Sequence, residues 1–293
     1  MGLRIKSNIE SLIAQRRLNE NEEQLSDSIE KLASGLRINK SSDDAAGLAI
    51  SETMRAKIRG FAQAKRNASD GISFLQTGEG GLSELNNLII RMRELTTQAA
   101  SDTVSSTERS YLNKEFQELG SEINRIKDQT EFNGKSLFSE EGQKDIAIQV
   151  GVNFRKADGS TNNENETIKL KFEDLSELNE SLSNLKELNI EGESGDELGG
   201  SDTEKIFSNL DDSMLKITKA RATFGALQSR LNSTIASIDV GSENLSAAQS
   251  RIRDVDYGSE SARFTQNKIL VAAGTAVLAQ ANRLPEHILH LIG

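Results

Sequence analysis

The sequence predicts a mainly α protein: long antiparallel helices in a rod-like bundle, a coiled coil made by the two ends of the chain, and a small β-hairpin region. Three observations carry this prediction. Apolar residues stand seven apart at Leu210, Ile217, Phe224, Leu231, Ile238, Leu245 and Ile252, which gives a helix one continuous apolar edge that must be covered. Pro285 is the only proline, where an average chain of this length holds about fifteen at the usual ~5%, and proline is what breaks helix interiors. Aromatic residues make up only 4% and Trp is absent, so small and aliphatic side chains must pack thin helical seams rather than a thick core.

Taken in order, residues 3–36 read as a first amphipathic helix, with Leu18, Leu25, Ile29, Leu32 and Leu36 along it. Gly35 and Asn39-Lys40-Ser41-Ser42 interrupt it. Ser41-Ser42-Asp43-Asp44 then set short polar and acidic side chains before Ala45-Ala46, where free N–H groups and the helix dipole favour them. A second helix is predicted over 45–100, with Leu82, Leu85, Ile89, Met92, Thr96 and Ala99 alternating steps of three and four. Gly60, Gly71 and Gly78-Glu79-Gly80-Gly81 are its soft points. After a turn at 101–106 a third helix covers 107–129, with Leu112, Phe116, Leu119, Ile123 and Ile126 as its apolar face. Phe132-Asn133-Gly134-Lys135 is a strong turn signal.

Beyond this turn the period changes to two. Ile146, Ile148 and Val150, then Ile168, Leu170 and Phe172, read as two strands of a hairpin joined through Asp158-Gly159. Residues 173–203 are acidic and rich in Ser, Asn and Gly, and are predicted to be a surface loop that a short linker could replace. A long helix follows over 204–255, Gly258 breaks it, and a last helix covers 260–284. Leu270, Val277, Ala281, Leu284, Ile288 and Leu291 are the apolar edge of this end.

The net charge of −10 is concentrated: residues 140–200 carry 15 acidic and 6 basic side chains. No basic patch with interleaved aromatics is present, which argues against nucleic acid. No stretch approaches the ~20 apolar residues of a membrane span, and no apolar segment of secretory type follows Met1. Cysteine is absent, which excludes disulfides and thiol chemistry. His287 and His290 are the only histidines; with only Glu286 beside them they do not make a metal site. Gly78-Glu79-Gly80-Gly81 lacks the Lys-Ser/Thr of a phosphate loop. No catalytic, cofactor or metal site is predicted, and the chain reads as a non-enzyme.

Several ordered motifs resemble bacterial flagellin. They are Leu32-Ala33-Ser34-Gly35-Leu36-Arg37-Ile38-Asn39 with Asp43-Asp44-Ala45-Ala46-Gly47-Leu48-Ala49-Ile50-Ser51, then Arg66-Asn67-Ala68-Ser69-Asp70-Gly71-Ile72-Ser73, Arg91-Met92-Arg93-Glu94-Leu95 and Thr130-Glu131-Phe132-Asn133-Gly134. At the other end stand Ser250-Arg251-Ile252-Arg253-Asp254-Val255-Asp256 and Gln280-Ala281-Asn282-Arg283-Leu284-Pro285. The resemblance implies a short flagellin, a self-assembling subunit of the extracellular filament used for swimming. A hook–filament junction protein is the alternative. The two departures from the family pattern are the end, Arg283 to Gly293, and the acidic segment.

The resemblance also implies an organisation. Residues 1–44 and 256–293 would form an inner coiled coil, with Leu18, Leu25, Leu32 and Leu36 meeting Leu270, Val277, Leu284 and Leu291. Residues 45–172 and 204–255 would form an outer rod domain, with 173–203 as an acidic surface segment. The implied partners are further copies and sibling flagellins, an export chaperone and the type III export apparatus, and the filament cap and junction proteins. In members that trigger innate immunity, Arg and Leu of the Arg91–Leu95 motif and a Glu at the position of Glu115 form the patch bound by Toll-like receptor 5. Arg91 and Leu95 lie one helical turn apart, so all three are expected on one surface.

Overall fold

The computed structural model describes residues 8–138, 145–152, 166–170, 173–185, 188–190 and 200–292. Its elements in chain order are α1 (Ile9–Ser34), α2 (Ala45–Ala99), α3 (Ser106–Gln129), β1 (Glu131–Phe132), β2 (Lys135–Ser136), β3 (Ile146–Gln149), β4 (Thr167–Leu170), α4 (Glu173–Asn184), α5 (Gly200–Arg253) and α6 (Tyr257–Ile292). The mainly α class with small antiparallel strand pairs is therefore as predicted. The chain divides into two compact units, Met1–Ile58 with Glu243–Gly293, and Arg59–Ser242. The divisions fall inside α2 and α5.

In the unit Arg59–Ser242 the apolar ladders do what their spacing requires. Leu82, Leu85, Ile89, Met92 and Ala99 of α2, Phe116 and Ile123 of α3, and Leu210, Ile217, Phe224 and Leu231 of α5 are buried together in one core. The helices α2 and α5 run antiparallel: Lys65 pairs with Asp239 at 2.7 Å and Arg93 with Asp211 at 3.2 Å. The third helix starts where Ser105 and Glu108 form a capping box, each satisfying a backbone N–H that the first turn leaves free. The turn Phe132-Asn133-Gly134-Lys135 joins β1 to β2, with Phe132 opposite Lys135.

The β3–β4 hairpin is antiparallel, with Ile146 opposite Leu170 and Ile148 opposite Ile168, so the alternation puts the apolar set on one face. That face lies on α2 at a glycine. A Cβ at Gly71 would stand 2.5 Å from Ile148 Cδ1, and one at Gly78 would stand 2.6 Å from Phe224 and 2.7 Å from Leu137. These glycines are sites of close packing, and α2 is continuous helix through all of them. Asp158, Gly159 and Phe172 lie outside the described residues.

The reading of 173–203 as a surface loop does not fit the described residues 173–185 and 188–190. Residues 173–184 form α4, and Leu178, Leu182, Leu185 and Ile190 are buried in the core of the same unit. Gln117 of α3 donates to the Leu188 carbonyl, Asn113 of α3 accepts from the Ile190 N–H at 3.2 Å, and Lys127 donates to Ser183 at 3.1 Å. Leu178, Leu182 and Leu185 recur at steps of four and three, a helical stripe that the acidic composition around it hides.

In the other unit α1 and α6 pack along each other. The first helix begins with the Asn8 side chain accepting from the Ser11 N–H and ends at Gly35, whose φ of 72° is a left-handed cap that costs glycine nothing. Residues 1–7, with which the first helix was expected to begin, lie outside the described residues. The last helix runs through Pro285 to Ile292, longer than its expected end at 284. A proline removes one hydrogen bond and bends a helix without necessarily ending it.

The connectors of this unit meet in a short antiparallel bridge between Leu36 and Asp254. The Arg37 N–H donates to the Arg253 carbonyl at 2.6 Å and the Val255 N–H to the Gly35 carbonyl at 3.0 Å. The Arg37 guanidinium adds two bonds to the Ile252 carbonyl, at 3.2 and 2.7 Å, and Arg253 pairs with Glu52.

Candidate functional site

Among the described residues no three His, Cys, Asp or Glu side chains gather to hold a metal. The candidate site is therefore a set of surfaces. The first is the α1–α6 seam. On α1 it follows Ser11, Ala14, Leu18, Asn21, Leu25, Ser28 and Leu32, all buried or half-buried, at alternating steps of three and four. Leu18, Leu25 and Leu32 lie on this face, with small and polar residues between them. Leu36 lies beyond the helix, in the bridge to Asp254.

The α6 side of the seam is not the edge predicted for it. Leu270 is exposed and Val277 is 58% exposed, whereas Phe264, Val271, Gly274 and Leu278 are half-buried; of the expected edge only Ala281 is buried among the described side chains. A Cβ at Gly274 would lie 3.2 Å from Leu18 Cδ1. The Asn8 side chain donates to the Ala281 carbonyl at 2.8 Å, Ser11 to Asn282 at 2.8 Å, and the Tyr257 hydroxyl to the Leu32 carbonyl at 3.3 Å. This helix carries two apolar stripes, each with a seven-residue repeat, so spacing alone cannot select the one that faces α1. Leu284, Leu291, His287 and His290 have side chains outside the described residues.

The stripe left over is the second surface. Ile269 is 63% exposed, and Leu270 and Val277 stand beside it on α6. On α1, Leu12 is 62% exposed, with Ile9, Ile13 and Ile29 also open. Scattered exposed apolar residues are ordinary; here several fall on the two helices that pair along the seam. No described helix is long and apolar enough to cross a membrane.

The third surface holds Arg91 and Glu115. The Arg91 Nε and Nη2 donate to Glu115 Oε1 at 3.0 and 2.7 Å, and Nη1 donates to Glu94 at 3.0 Å. These bonds, that to Glu115 foremost, hold the Arg91 guanidinium above its ordinary range. All three groups are open to solvent, which screens the attraction. Leu95 does not join them. It is fully buried in the core, because the step of four from Arg91 turns it into the stripe of Met92 and Ala99. The expected three-residue patch is thus an ion pair on the surface with a leucine beneath it.

Arg109 escaped the sequence reading. It is buried, and its Nε donates to the Ala99 carbonyl at 3.0 Å and its Nη2 to the Ser101 carbonyl at 3.3 Å. A guanidinium thereby satisfies the Ala99 carbonyl that the end of α2 leaves free and adds to the Ser101 carbonyl, which also accepts from the Val104 N–H. The only signal was a cation in the first turn of α3, where the helix dipole disfavours one.

Two family models match, the bacterial flagellin N-terminal helical region over residues 5–143 and the C-terminal helical region over 207–292. A flagellin of Halalkalibacterium halodurans is 41% identical, covering 98% of this chain and 99% of its own. Flagellin FlaB2 of Treponema pallidum is 38% identical, with 98% and 99% covered. Among solved structures, a putative flagellar hook-associated protein from Vibrio parahaemolyticus shares the fold at a TM-score of 0.55, over 72% of this chain and 100% of that one. At 13% identity it speaks to fold alone, so nothing favours a junction protein. With both helical regions matched and relatives aligned over nearly their whole length, the chain belongs to the bacterial flagellin family.

Proposed function

We propose that this chain is the structural subunit of a bacterial flagellar filament and adds to further copies by head-to-tail contacts between unlike surfaces. The observation that carries this reading is the second apolar stripe on α6, together with Leu12 and Ile13 on α1. The internal seam leaves these faces uncovered, and neighbouring copies would bury them. Contacts between unlike surfaces do not close on themselves and so generate open helical polymers. In this assignment α1 and α6 form the inner coiled coil and the unit Arg59–Ser242 the outer domain. The filament is extracellular, and its role is mechanical rather than enzymatic. Sibling flagellins, an export chaperone, the type III export apparatus and the cap and junction proteins are its further partners.

The test is elongation of filament seeds by purified full-length protein, followed by electron microscopy. Leu12→Asp and Val277→Asp should abolish elongation while leaving the circular dichroism of the monomer nearly unchanged. Variants that elongate as wild type would overturn the assignment of this stripe.

Recognition by Toll-like receptor 5 is a second reading, favoured by the surface pair Arg91 and Glu115. Monomer should activate receptor-bearing cells. Arg91→Ala should weaken activation by about thirtyfold, the effect of losing about 2 kcal/mol at an interface arginine. Equal activation by the variant sinks this reading.

A further inference from the structure

The β1–β2 turn holds the only Asn-Gly pair in the chain. Asn133 has φ 53° and Gly134 φ 74°. Two residues at positive φ between paired strands make a type I′ turn. Both residues are exposed, and nothing stands within 4 Å of where a Cβ on Gly134 would be. The Asn133 side chain and the Gly134 nitrogen therefore have room to approach each other.

We propose that Asn133 is a site of spontaneous modification, converted through a cyclic imide to aspartate and isoaspartate. The Gly134 nitrogen attacks Asn133 Cγ. Its proton and the Nδ2 amide leave together as ammonia, and the new N–C bond closes a five-membered ring. Water then opens either ring carbonyl, giving aspartate from one and isoaspartate from the other. Nothing beyond water is consumed.

The turn geometry suits the ring. A flat ring places Cβ in the plane of the following peptide, which requires ψ of Asn133 near about −120°, the value of the first central residue of a type II′ turn. Types I′ and II′ share a first φ of about +60° and differ by a flip of the central peptide, and both connect two-residue hairpins. Asn133 already has the φ that the II′ turn needs, and glycine at 134 accepts either sign of φ. The ring can thus form without parting β1 from β2.

The two products differ in consequence. Asp-Gly fits the same turn, so aspartate keeps the pairing of Phe132 with Lys135. Isoaspartate adds a backbone carbon and loosens it. Both bring a negative charge into the groove that Asn133 lines with Asp70, Phe74, Phe132 and Lys135.

The test is incubation of the full chain in mildly alkaline buffer, with peptide mass spectrometry over time. A synthetic peptide spanning Glu131–Ser136 serves as the rate reference. The expected result is a gain of one mass unit at Asn133, at a rate within about tenfold of the peptide's, that is, with no more than about 1.4 kcal/mol added to the barrier. Ammonia should be released in equal amount. Asn133→Gly, which keeps a turn of the I′ type, should release none from this site. The isoaspartyl fraction should exchange its Leu137 amide hydrogen faster, because that N–H is bonded to the Thr130 carbonyl behind the ladder at 3.0 Å. A full chain modified more slowly than this limit, while the peptide reacts, overturns the proposal.

Discussion

Replacing Asn179 by leucine should make the protein more stable. Asn179 sits on α4 with only 4% of its surface exposed, and neither its amide oxygen nor its amide nitrogen has a hydrogen-bond partner among the described residues. A buried polar group left unsatisfied costs about 1–3 kcal/mol. Leucine has the same branching at Cγ, takes away both polar atoms and favours the helix more than asparagine does. Its extra volume offsets part of the gain, because overfilling a packed core costs about 1–3 kcal/mol when neighbours cannot move. Leu178, Leu182 and Leu185 already line the element, so the net expectation is a gain of about 1–2 kcal/mol. For a unit of this size that is about 3–6 °C in Tm. Calorimetry and urea unfolding of the full chain, wild type against Asn179→Leu, measure it, with Asn179→Ala as the variant that removes the amide without filling its space. If Asn179→Leu lowers Tm while Asn179→Ala does not, the leucine does not fit. If both lower it strongly, the amide is satisfied and the reasoning from an orphaned group is wrong.

Leu182→Ala should destabilise the unit Arg59–Ser242 by about 2–5 kcal/mol, as for a fully buried leucine, and exchanging 173–190 for a Gly-Ser linker should cost at least as much; unchanged urea unfolding would restore the surface-loop reading. Gly78→Ala should cost about 1–3 kcal/mol through overpacking against Phe224 and Leu137, and an unchanged melting curve would mean that α2 and its neighbours part easily. Glu108 is held below its ordinary value by the Ser105 N–H and hydroxyl. Its folded pKa is depressed, so its contribution is complete above the ordinary glutamate range and is lost as pH falls through the lower, folded value. An NMR titration should find it there, and Glu108→Gln should abolish the acid-side loss of protection at the start of α3.

The apolar ladders of α2, α3 and α5 were legible because each of those helices buries one stripe, and a stripe shows in the spacing. The Phe132–Lys135 turn was legible because Asn-Gly has few alternatives to positive φ between strands. The same logic fails in three places for identifiable reasons. On α6 two apolar stripes share one period, so the side facing α1 depends on partners that no spacing records. On α4 the buried face is four side chains set among acids, and average composition conceals it. At Leu95 the sequence places a residue one turn from Arg91 but not its inclination, and that rotation separates a core leucine from a surface arginine. The Arg91–Glu115 pair came from family resemblance, since a contact between helices joined by a turn has no period at all.

The bridge between Leu36 and Asp254 shortens the loop that the pairing of α1 with α6 has to close. Asn8 and its hydrogen-bond acceptor at Ala281 are 273 residues apart in the chain, whereas the core of Arg59–Ser242 needs nothing beyond α5. Closing a long loop is entropically costly but shortens greatly once the intervening chain has folded. With the Arg37 and Val255 bonds made, the loop left between Asn8 and Ala281 is only the chain that runs from these connectors along α1 and α6. A chain that stops before α6 would keep every residue of that core and leave α1 without the helix it packs on.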